Sequence, residues 1–272
     1  MTSNDQNNHS DVRLPTSHFK HPVLFVGAGP GDPELITVKG RNALKRADLV
    51  IYAGSLVPEA LLAWTRPGTP AVDSASLTLE EIVSAMADAQ CAGQRVVRLH
   101  TGDPSLYGAV FEQIAELYKL GIPFRVIPGV TAAFAAAAAM GIEYTLPEIS
   151  QTLILTRVAG RTPVPESESL ASLAAHRASM AIYLSMGQID TVADVLGTAY
   201  GADAPCAVVY RASQPDEKVI RTRVSELAAR VRADGITRQA LIIVGRVLEV
   251  GLEELKVTSK LYDKNFEHGF RS

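Results

Sequence analysis

Cysteine and tryptophan are scarce in this 272-residue chain. The sequence has two cysteines, Cys91 and Cys206, and one tryptophan, and aromatic residues make up 6% of it. Two widely separated cysteines in apolar surroundings offer neither a disulfide framework nor a metal-ligand spacing, and such cysteine use suits a reducing compartment. We therefore expect a cytoplasmic protein without a bound metal, in which both cysteines are buried as small hydrophobic residues.

Strong net charge and long apolar runs are also missing. A formal charge of −3 at pH 7 gives no general attraction to nucleic acid, so local arginines must bind any anionic ligand. The longest run of small apolar residues, 130–142, is too short for a membrane span of about 20 residues and predicts a buried helix. Residues 1–21 are polar, lack the apolar segment of a signal peptide and predict a flexible tail. Residues 251–272 predict a charged carboxyl-terminal tail.

From residue 22 onwards, short apolar runs alternate with amphipathic segments of helix length. This alternation predicts an α/β fold with parallel sheets covered by helices. Glycine, proline and charge interrupt the apolar character over residues 141–148, which predicts an amino-terminal α/β domain over 22–145 and a carboxyl-terminal α/β domain over 146–250. Strands are predicted at 23–27, 49–53, 95–99, 124–127, 153–155, 181–184, 207–210, 218–221 and 241–244.

The most informative segment is the glycine-dense turn after the first strand, Gly27-Ala28-Gly29-Pro30-Gly31-Asp32. Three glycines within five residues let a small molecule approach the main chain at the carboxyl end of a strand. The turn does not match the dinucleotide fingerprint G-x-G-x-x-G, because its third glycine comes one place early. Pro30 also lacks the N–H that would bind a pyrophosphate. The turn therefore predicts a ligand site and disfavours a nicotinamide cofactor.

Two further strand-to-helix turns have the same character, in the segments 98–108 and 127–132. Ligands of open α/β sheets bind in a crevice at the carboxyl ends of the strands, where several such turns can face one site. The three turns together therefore predict one pocket.

Four motifs give the chain a resemblance to a known family: residues 26–33, Gly102-Asp103-Pro104, residues 128–132 and residues 239–245. In order and spacing they resemble the tetrapyrrole methylases, and the resemblance extends from residue 22 to about residue 250. It implies the class III methyltransferase fold, with two α/β domains and an active-site cleft between them. It also implies S-adenosylmethionine as the methyl donor, a tetrapyrrole substrate and a homodimer.

The same resemblance implies which residues contact the donor. Many of these contacts are expected to come from the backbone, so turn shape matters more than side-chain identity. Met186 has an alternative interpretation as a core residue, and Ala240 as an ordinary strand residue. The implied contacts are Pro30, Gly102, Asp103, Pro104, Ser105, Leu106, Tyr107, Thr131, Ala132, Met186, Arg211, Ala212 and Ala240.

Two variable segments, residues 105–109 and 156–166, resemble the precorrin methylases of the cobalamin pathway. The uroporphyrinogen methyltransferases differ, because they carry an aromatic residue and an arginine where Ser105 and Ala109 stand. The substrate role of that arginine therefore cannot be transferred to this chain.

Precorrins carry acetate and propionate groups, and the guanidinium of arginine binds carboxylates in a bidentate manner. Arg157 and Arg161 are the predicted substrate-binding residues, because both lie in a proline-containing loop, where functional residues are common. Methyl transfer from a sulfonium is an in-line displacement that depends mainly on positioning. Asp32 is the candidate for handling a proton, with helix capping as its alternative role, and Tyr107 is the candidate for orienting the donor or substrate.

Several alternatives remain open from the sequence. The methylated position may be predicted at another precorrin carbon, and the substrate may be predicted as the cobalt-containing intermediate or the modified histidine of diphthine synthases. A nicotinamide-dependent oxidoreductase and a non-catalytic ligand-binding protein are alternatives of a different class.

Overall fold

The computed structural model describes residues 19–251 and residue 259. These residues form two compact units. Unit 1 comprises the chain up to Ala28 together with Ile36–Gly129, and unit 2 comprises Gly29–Leu35 together with the chain from Val130 onwards. The predicted amino-terminal tail up to residue 18, and nearly all of the predicted tail 251–272, lie outside the described residues.

The sheet of unit 1 has five parallel strands in the order β3-β2-β4-β1-β5. Four strands and their parallel arrangement confirm the predictions. The fifth strand, β3, was not predicted, because it is a three-residue, largely exposed edge strand without an apolar run. The strands are β1 (Val23–Gly27), β2 (Leu49–Tyr52), β3 (Ala71–Asp73), β4 (Val96–His100) and β5 (Phe124–Ile127).

Three α-helices cover this sheet: α1 (Val38–Arg46), α2 (Leu79–Cys91) and α3 (Val110–Lys119). One apolar core lies on the α1 face of the sheet, and a second core lies on the face covered by α2 and α3. Thr78 and Glu81 start α2 with the predicted capping box, in which each side chain accepts the backbone N–H of the other residue. The two helical layers leave the carboxyl ends of the strands to be occupied by turns.

The sheet of unit 2 also has five strands, in the order β6-β7-β10-β8-β9. All five predicted strands are confirmed, but the prediction of a parallel sheet is wrong here, because only β6 and β7 are paired in parallel. A short turn over 211–217 joins β8 directly to β9, and such a hairpin forces antiparallel pairing. Strand β10 then lies between β7 and β8, antiparallel to both. The strands are β6 (Leu153–Arg157), β7 (Ser179–Tyr183), β8 (Pro205–Tyr210), β9 (Lys218–Arg223) and β10 (Ala240–Val244).

The alanine run forms α4 (Ala132–Met140), as predicted, and packs on one face of this second sheet. Ala181 and Ala207 lie opposite it, and small residues on both sides let a helix approach a sheet closely. By packing, α4 belongs to unit 2, whereas the boundary at 145/146 drawn from the sequence assigns it to the first domain. The glycine, proline and charged residues that suggested this boundary form the end of α4 and its connection to β6.

The other face of the second sheet is covered by α5 (Leu170–Ala174), α6 (Ile189–Tyr200) and α7 (Leu227–Ala233). Cys206 of β8 is buried in this core, and burial raises the pKa of its thiol to about 12. Cys91, at the end of α2, is exposed, so the expectation that both cysteines are buried is wrong for Cys91. None of the helices in the described part of the chain combines the length and apolar content that a membrane crossing needs.

Candidate functional site

The three predicted turns of unit 1 meet at glycine backbones. Strand β1 lies between β4 and β5, so Gly27 at its carboxyl end is flanked by Gly102 and Gly129. A Cβ atom on Gly129 would lie 2.2 Å from the carbonyl oxygen of Gly102, and one on Gly27 would lie 2.5 Å from the nitrogen of Gly129. No side chain fits at these distances, so glycine is required for the backbones to come together.

Asp103 links the turn after β4 to the turn after β5. Its Oδ1 accepts the backbone N–H of Ser105 at 2.8 Å and also the Ser105 hydroxyl, while its Oδ2 accepts the N–H of Gly129 at 2.8 Å. Burial raises the pKa of this carboxyl, but the hydrogen bonds from Ser105 and Gly129 outweigh burial and leave the pKa below its usual value. Asp103 is therefore an ionised link between turns, with both oxygens already in use.

The turn between β4 and α3, residues 101–109, has an unusual backbone and is named the second turn. Tyr107 and Ala109 have φ angles of 54° and 46°, a left-handed conformation that residues with a Cβ adopt rarely. Pro104 is buried, Leu106 is half-buried, and Ser105 and Tyr107 are exposed. Strained backbone of this kind clusters at functional sites, and here it presents the predicted donor contacts at the end of the sheet.

In unit 2, the hairpin between β8 and β9 holds the segment that contains Pro30 and Asp32. Ser213 Oγ accepts the Asp32 N–H at 3.0 Å, and Gln214 Nε2 donates to the Pro30 carbonyl at 3.3 Å. Arg211 in turn donates to Gln214 Oε1 at 2.8 Å. The Arg211 side chain therefore orients the glutamine that fixes the backbone of Pro30.

The Asp32 carboxylate has a local structural role. Its Oδ1 accepts the N–H of Glu34 at 2.8 Å and so caps the short 3-10 helix Pro33–Leu35. This is the capping role that the sequence left open as an alternative. A role of Asp32 in proton transfer stays a prediction.

Thr131 and Ala132, at the start of α4, lie beside the end of β7. The Tyr183 hydroxyl lies 2.7 Å from Thr131 Oγ1 and accepts the N–H of Ala133 at 2.9 Å. Burial raises the pKa of Tyr183, although the hydrogen bonds from Thr131 and Ala133 oppose the shift, so the phenol is neutral. Sequence reasoning missed Tyr183; the only signal was its place at the end of a strand, just before Met186.

Three predicted donor contacts of unit 2 have packed side chains. Met186 is buried in the core beneath α6, and Ala212 is buried in the core beneath α4. Ala240 begins β10 and is half-buried. Their side chains fill the interior, which agrees with the packing roles considered for Met186 and Ala240, and any contact with a donor falls to their backbone groups.

The two predicted substrate arginines differ in their surroundings. The guanidinium of Arg157 donates to the carbonyls of Thr162 and Pro163, each at 2.9 Å, and so braces its own loop. The side chain of Arg161 is exposed and has no hydrogen-bond or ion-pair partner among residues 19–251. Arg161 is therefore the one whose donors are available to a ligand.

Residues 22–228 match the family model described as Tetrapyrrole (Corrin/Porphyrin) Methylases. The chain belongs to the tetrapyrrole methylases. This tetrapyrrole methylase is therefore an S-adenosylmethionine-dependent methyltransferase, and the predicted two-domain α/β fold of the family is confirmed.

Two relatives resemble this tetrapyrrole methylase over almost their whole length. A cobalt-precorrin-4 C(11)-methyltransferase of Methanocaldococcus jannaschii is 52% identical over 250 residues, which are 92% of this chain and 95% of the relative. A precorrin-4 C(11)-methyltransferase of Pseudomonas aeruginosa is 49% identical over 249 residues, with coverages of 92% and 98%.

Two solved structures share the fold. A cobalt precorrin-4 methyltransferase superimposes with a TM-score of 0.81 at 47% identity and covers 84% of this chain and 95% of its own. A uroporphyrin-III C-methyl transferase from Thermus thermophilus, complexed with S-adenosylhomocysteine, has a TM-score of 0.69 at 30% identity and covers 85% of this chain and all of its own.

The convergence of the turns predicts a severe effect of Gly129→Ala. The added methyl group would meet the Gly102 carbonyl, so we expect the free energy of unfolding to fall by about 1–3 kcal/mol and S-adenosylhomocysteine to bind more weakly. Denaturant unfolding and titration calorimetry measure the two effects. The control is Gly197→Ala, where a Cβ would lie 3.9 Å from Val224. Gly129→Ala protein with wild-type stability would contradict the convergence.

The link made by Asp103 predicts a pH-dependent effect of Asp103→Asn. The folded-state pKa lies below 3.8, so the stability that the carboxylate contributes is complete above pH 3.8 and is lost as the pH falls through the folded-state value. The melting temperatures of wild type and variant should therefore converge in acid, and the variant should bind S-adenosylhomocysteine more weakly at pH 7.

Asp73→Asn is the matched control for this prediction. The Asp73 carboxylate also accepts two backbone N–H groups, from Gly54 and Ala75, and these bonds also lower its pKa. We expect this variant to show the same acid behaviour with unchanged ligand affinity. Equal affinities of the Asp103 variant and wild type would refute the proposed link.

Proposed function

We propose that this tetrapyrrole methylase transfers the methyl group of S-adenosylmethionine to C11 of precorrin-4, giving precorrin-5 in cobalamin biosynthesis. The observation that carries the proposal is the near-full-length identity of about one half to C11-methyltransferases from two distant organisms. The segments 105–109 and 156–166, which most resemble precorrin-4 C11-methyltransferases, support the same substrate. Because the names of these relatives divide between precorrin-4 and its cobalt form, cobalt-precorrin-4 is the second candidate substrate.

The glycine cradle of unit 1 supports the binding of a nucleoside-bearing donor. Gly27, Gly102 and Gly129 leave space only for backbone, so a flat ligand can approach main-chain N–H and C=O groups closely. When bound, S-adenosylmethionine supplies a methyl group already activated by the positive charge on sulfur. The residues proposed to hold it are those named from the family resemblance, from Pro30 to Ala240.

For this reaction, the protein contributes position rather than acid or base chemistry. The second turn is proposed to place Ser105, Leu106 and Tyr107 against the donor, with Tyr107 orienting it, so that the methyl carbon points at the nucleophilic ring carbon. Asp32 is engaged as a cap, so a proton released by the substrate has no fully free carboxylate at that position to receive it. Enclosure of the reacting groups would also exclude water.

The substrate carries several carboxylates, and we propose that Arg161 binds one of them. Its guanidinium is exposed and uncommitted, whereas Arg157 keeps the loop in shape. We also infer a homodimer, as the resemblance implies, and a cytoplasmic location, where the exposed thiol of Cys91 would stay reduced.

The direct experiment is incubation with methyl-labelled S-adenosylmethionine and enzymatically prepared precorrin-4, with and without cobalt. Mass spectrometry and carbon NMR of the pigment should show one labelled methyl group at C11 with the preferred form of the substrate. Label at another carbon would overturn the proposed position. No transfer to either substrate, despite binding of S-adenosylhomocysteine, would favour a non-catalytic protein.

The assignment of Arg161 predicts that Arg161→Ala raises KM for the precorrin about tenfold, because one charge-assisted pair with a carboxylate is lost. The dissociation constant for S-adenosylhomocysteine should stay within twofold of wild type. Arg230→Ala removes an exposed arginine from α7 and serves as the charge-matched control. If both variants raise KM equally, the effect is one of net charge and the assignment to Arg161 is wrong.

A further inference from the structure

A buried polar cluster lies between β4 and α3, next to the second turn. Arg98 is 5% exposed, His100 6% and Gln113 4%. Arg98 and His100 are two residues apart in β4, so both side chains point to the face covered by α2 and α3. None of these three residues was predicted to be functional, and the proposed reaction does not use them directly.

Two hydrogen bonds connect the buried guanidinium to the backbone of the second turn. Arg98 Nε donates to Gln113 Oε1 at 3.0 Å, and Gln113 Nε2 donates to the carbonyl of Ala109 at 3.0 Å. Ala109 is one of the two residues of the turn with a left-handed backbone. The glutamine therefore holds a strained residue in place, and the arginine fixes the orientation of the glutamine.

His100 provides a second anchor for the same turn. Its ring stacks on Phe25 with centroids 5.8 Å apart. Burial lowers its pKa to about 3, the charge of Arg98 lowers it further, and a hydrogen bond with the backbone of Gly108 opposes the shift. The ring is therefore neutral at pH 7, and the bond that favours its protonated form is one in which a ring N–H donates to the Gly108 carbonyl.

This cluster is costly for an ordinary core. Nη1 of Arg98 and Nε2 of His100 are buried without a hydrogen-bond partner in the described part of the chain. Burial lowers the pKa of Arg98 to about 10, so the group still carries its charge at pH 7, and no described carboxylate forms an ion pair with it. Apolar residues would fill the same space more favourably.

We propose that Arg98, Gln113 and His100 are positioning residues, which hold Tyr107–Ala109 in the left-handed conformation and thereby set the shape in which the second turn meets the methyl donor. The inference rests on the proposed function, because it takes the second turn to be part of the donor site. Without the anchors, Tyr107 and Ala109 relax towards ordinary φ values, and Ser105 to Tyr107 move with them.

The test compares two buried glutamines of unit 1. In Gln113→Glu, the new carboxylate gives Arg98 a counter-ion, so the fold is retained, but no N–H remains to hold the Ala109 carbonyl. In the matched control, Gln90→Glu, the lost N–H is one that Gln90, 3% exposed, donates to the carbonyl of Gln94 at 3.2 Å, away from the turn. Thermal unfolding and titration calorimetry with S-adenosylhomocysteine are measured on wild type and both variants.

We expect Gln113→Glu to keep a melting temperature close to that of wild type and to bind S-adenosylhomocysteine about tenfold more weakly. Gln90→Glu should melt earlier and bind with wild-type affinity, which separates positioning from general destabilisation. Wild-type affinity of Gln113→Glu, or an equal loss of affinity in both variants, overturns the proposal.

His100→Phe is a second variant that does not depend on the folding of the first. Phenylalanine keeps the stacking on Phe25 and removes a buried nitrogen without a partner, so the fold should be as stable as wild type or more stable. Donor affinity should nevertheless fall several-fold, and kcat should fall while KM for the precorrin changes little. Unchanged affinity and kcat in this variant would also contradict the proposal. If wild type itself fails to bind S-adenosylhomocysteine, the proposed function fails instead.

Discussion

The close approach of three backbones at Gly27, Gly102 and Gly129 is the constraint on which unit 1 depends. A methyl group at either outer position would lie within 2.8 Å of neighbouring backbone atoms, so the ends of β1, β4 and β5 can meet only as glycines. Asp103 then fixes the arrangement, because its two oxygens accept N–H groups from residues 26 positions apart in the chain. The result is a rigid site built from main chain, which suits a reaction that depends on placing a methyl group in line with its acceptor.

Polar side chains near this site mostly hold other parts of the protein. Asp103 joins two turns, Asp32 caps a short helix, Arg157 braces its loop, and Arg211 orients Gln214. In each case a group that could face a ligand is instead satisfied by backbone. The buried cluster around Arg98 follows the same logic at a greater energetic cost, because two of its polar atoms have no partner. We interpret this cost as the requirement for a second turn that stays in a strained shape.

Much of the fold could be predicted from local patterns. Nine of the strands follow from apolar runs, and α2 follows from the capping box and the stripe of apolar residues that begins with Ile82. The edge strand β3 escaped, because three exposed residues carry no periodic signal. The family and its methyltransferase activity followed from four separated glycine-containing motifs, which specify turn geometry and are therefore visible in the residues themselves. The roles of the individual donor and substrate contacts stay predictions.

The sequence by itself determined which segments become strands, helices and turns, because glycine, proline and apolar spacing act on the backbone within a few residues. Only the tertiary structure decided that β10 enters the second sheet antiparallel between β7 and β8, and that α4 packs with that sheet. It also decided that Tyr183 meets Thr131 and that Gln113 meets Arg98. These pairings join residues far apart in the chain, and their energies depend on burial and on hydrogen-bond partners that exist only once the sheets are assembled.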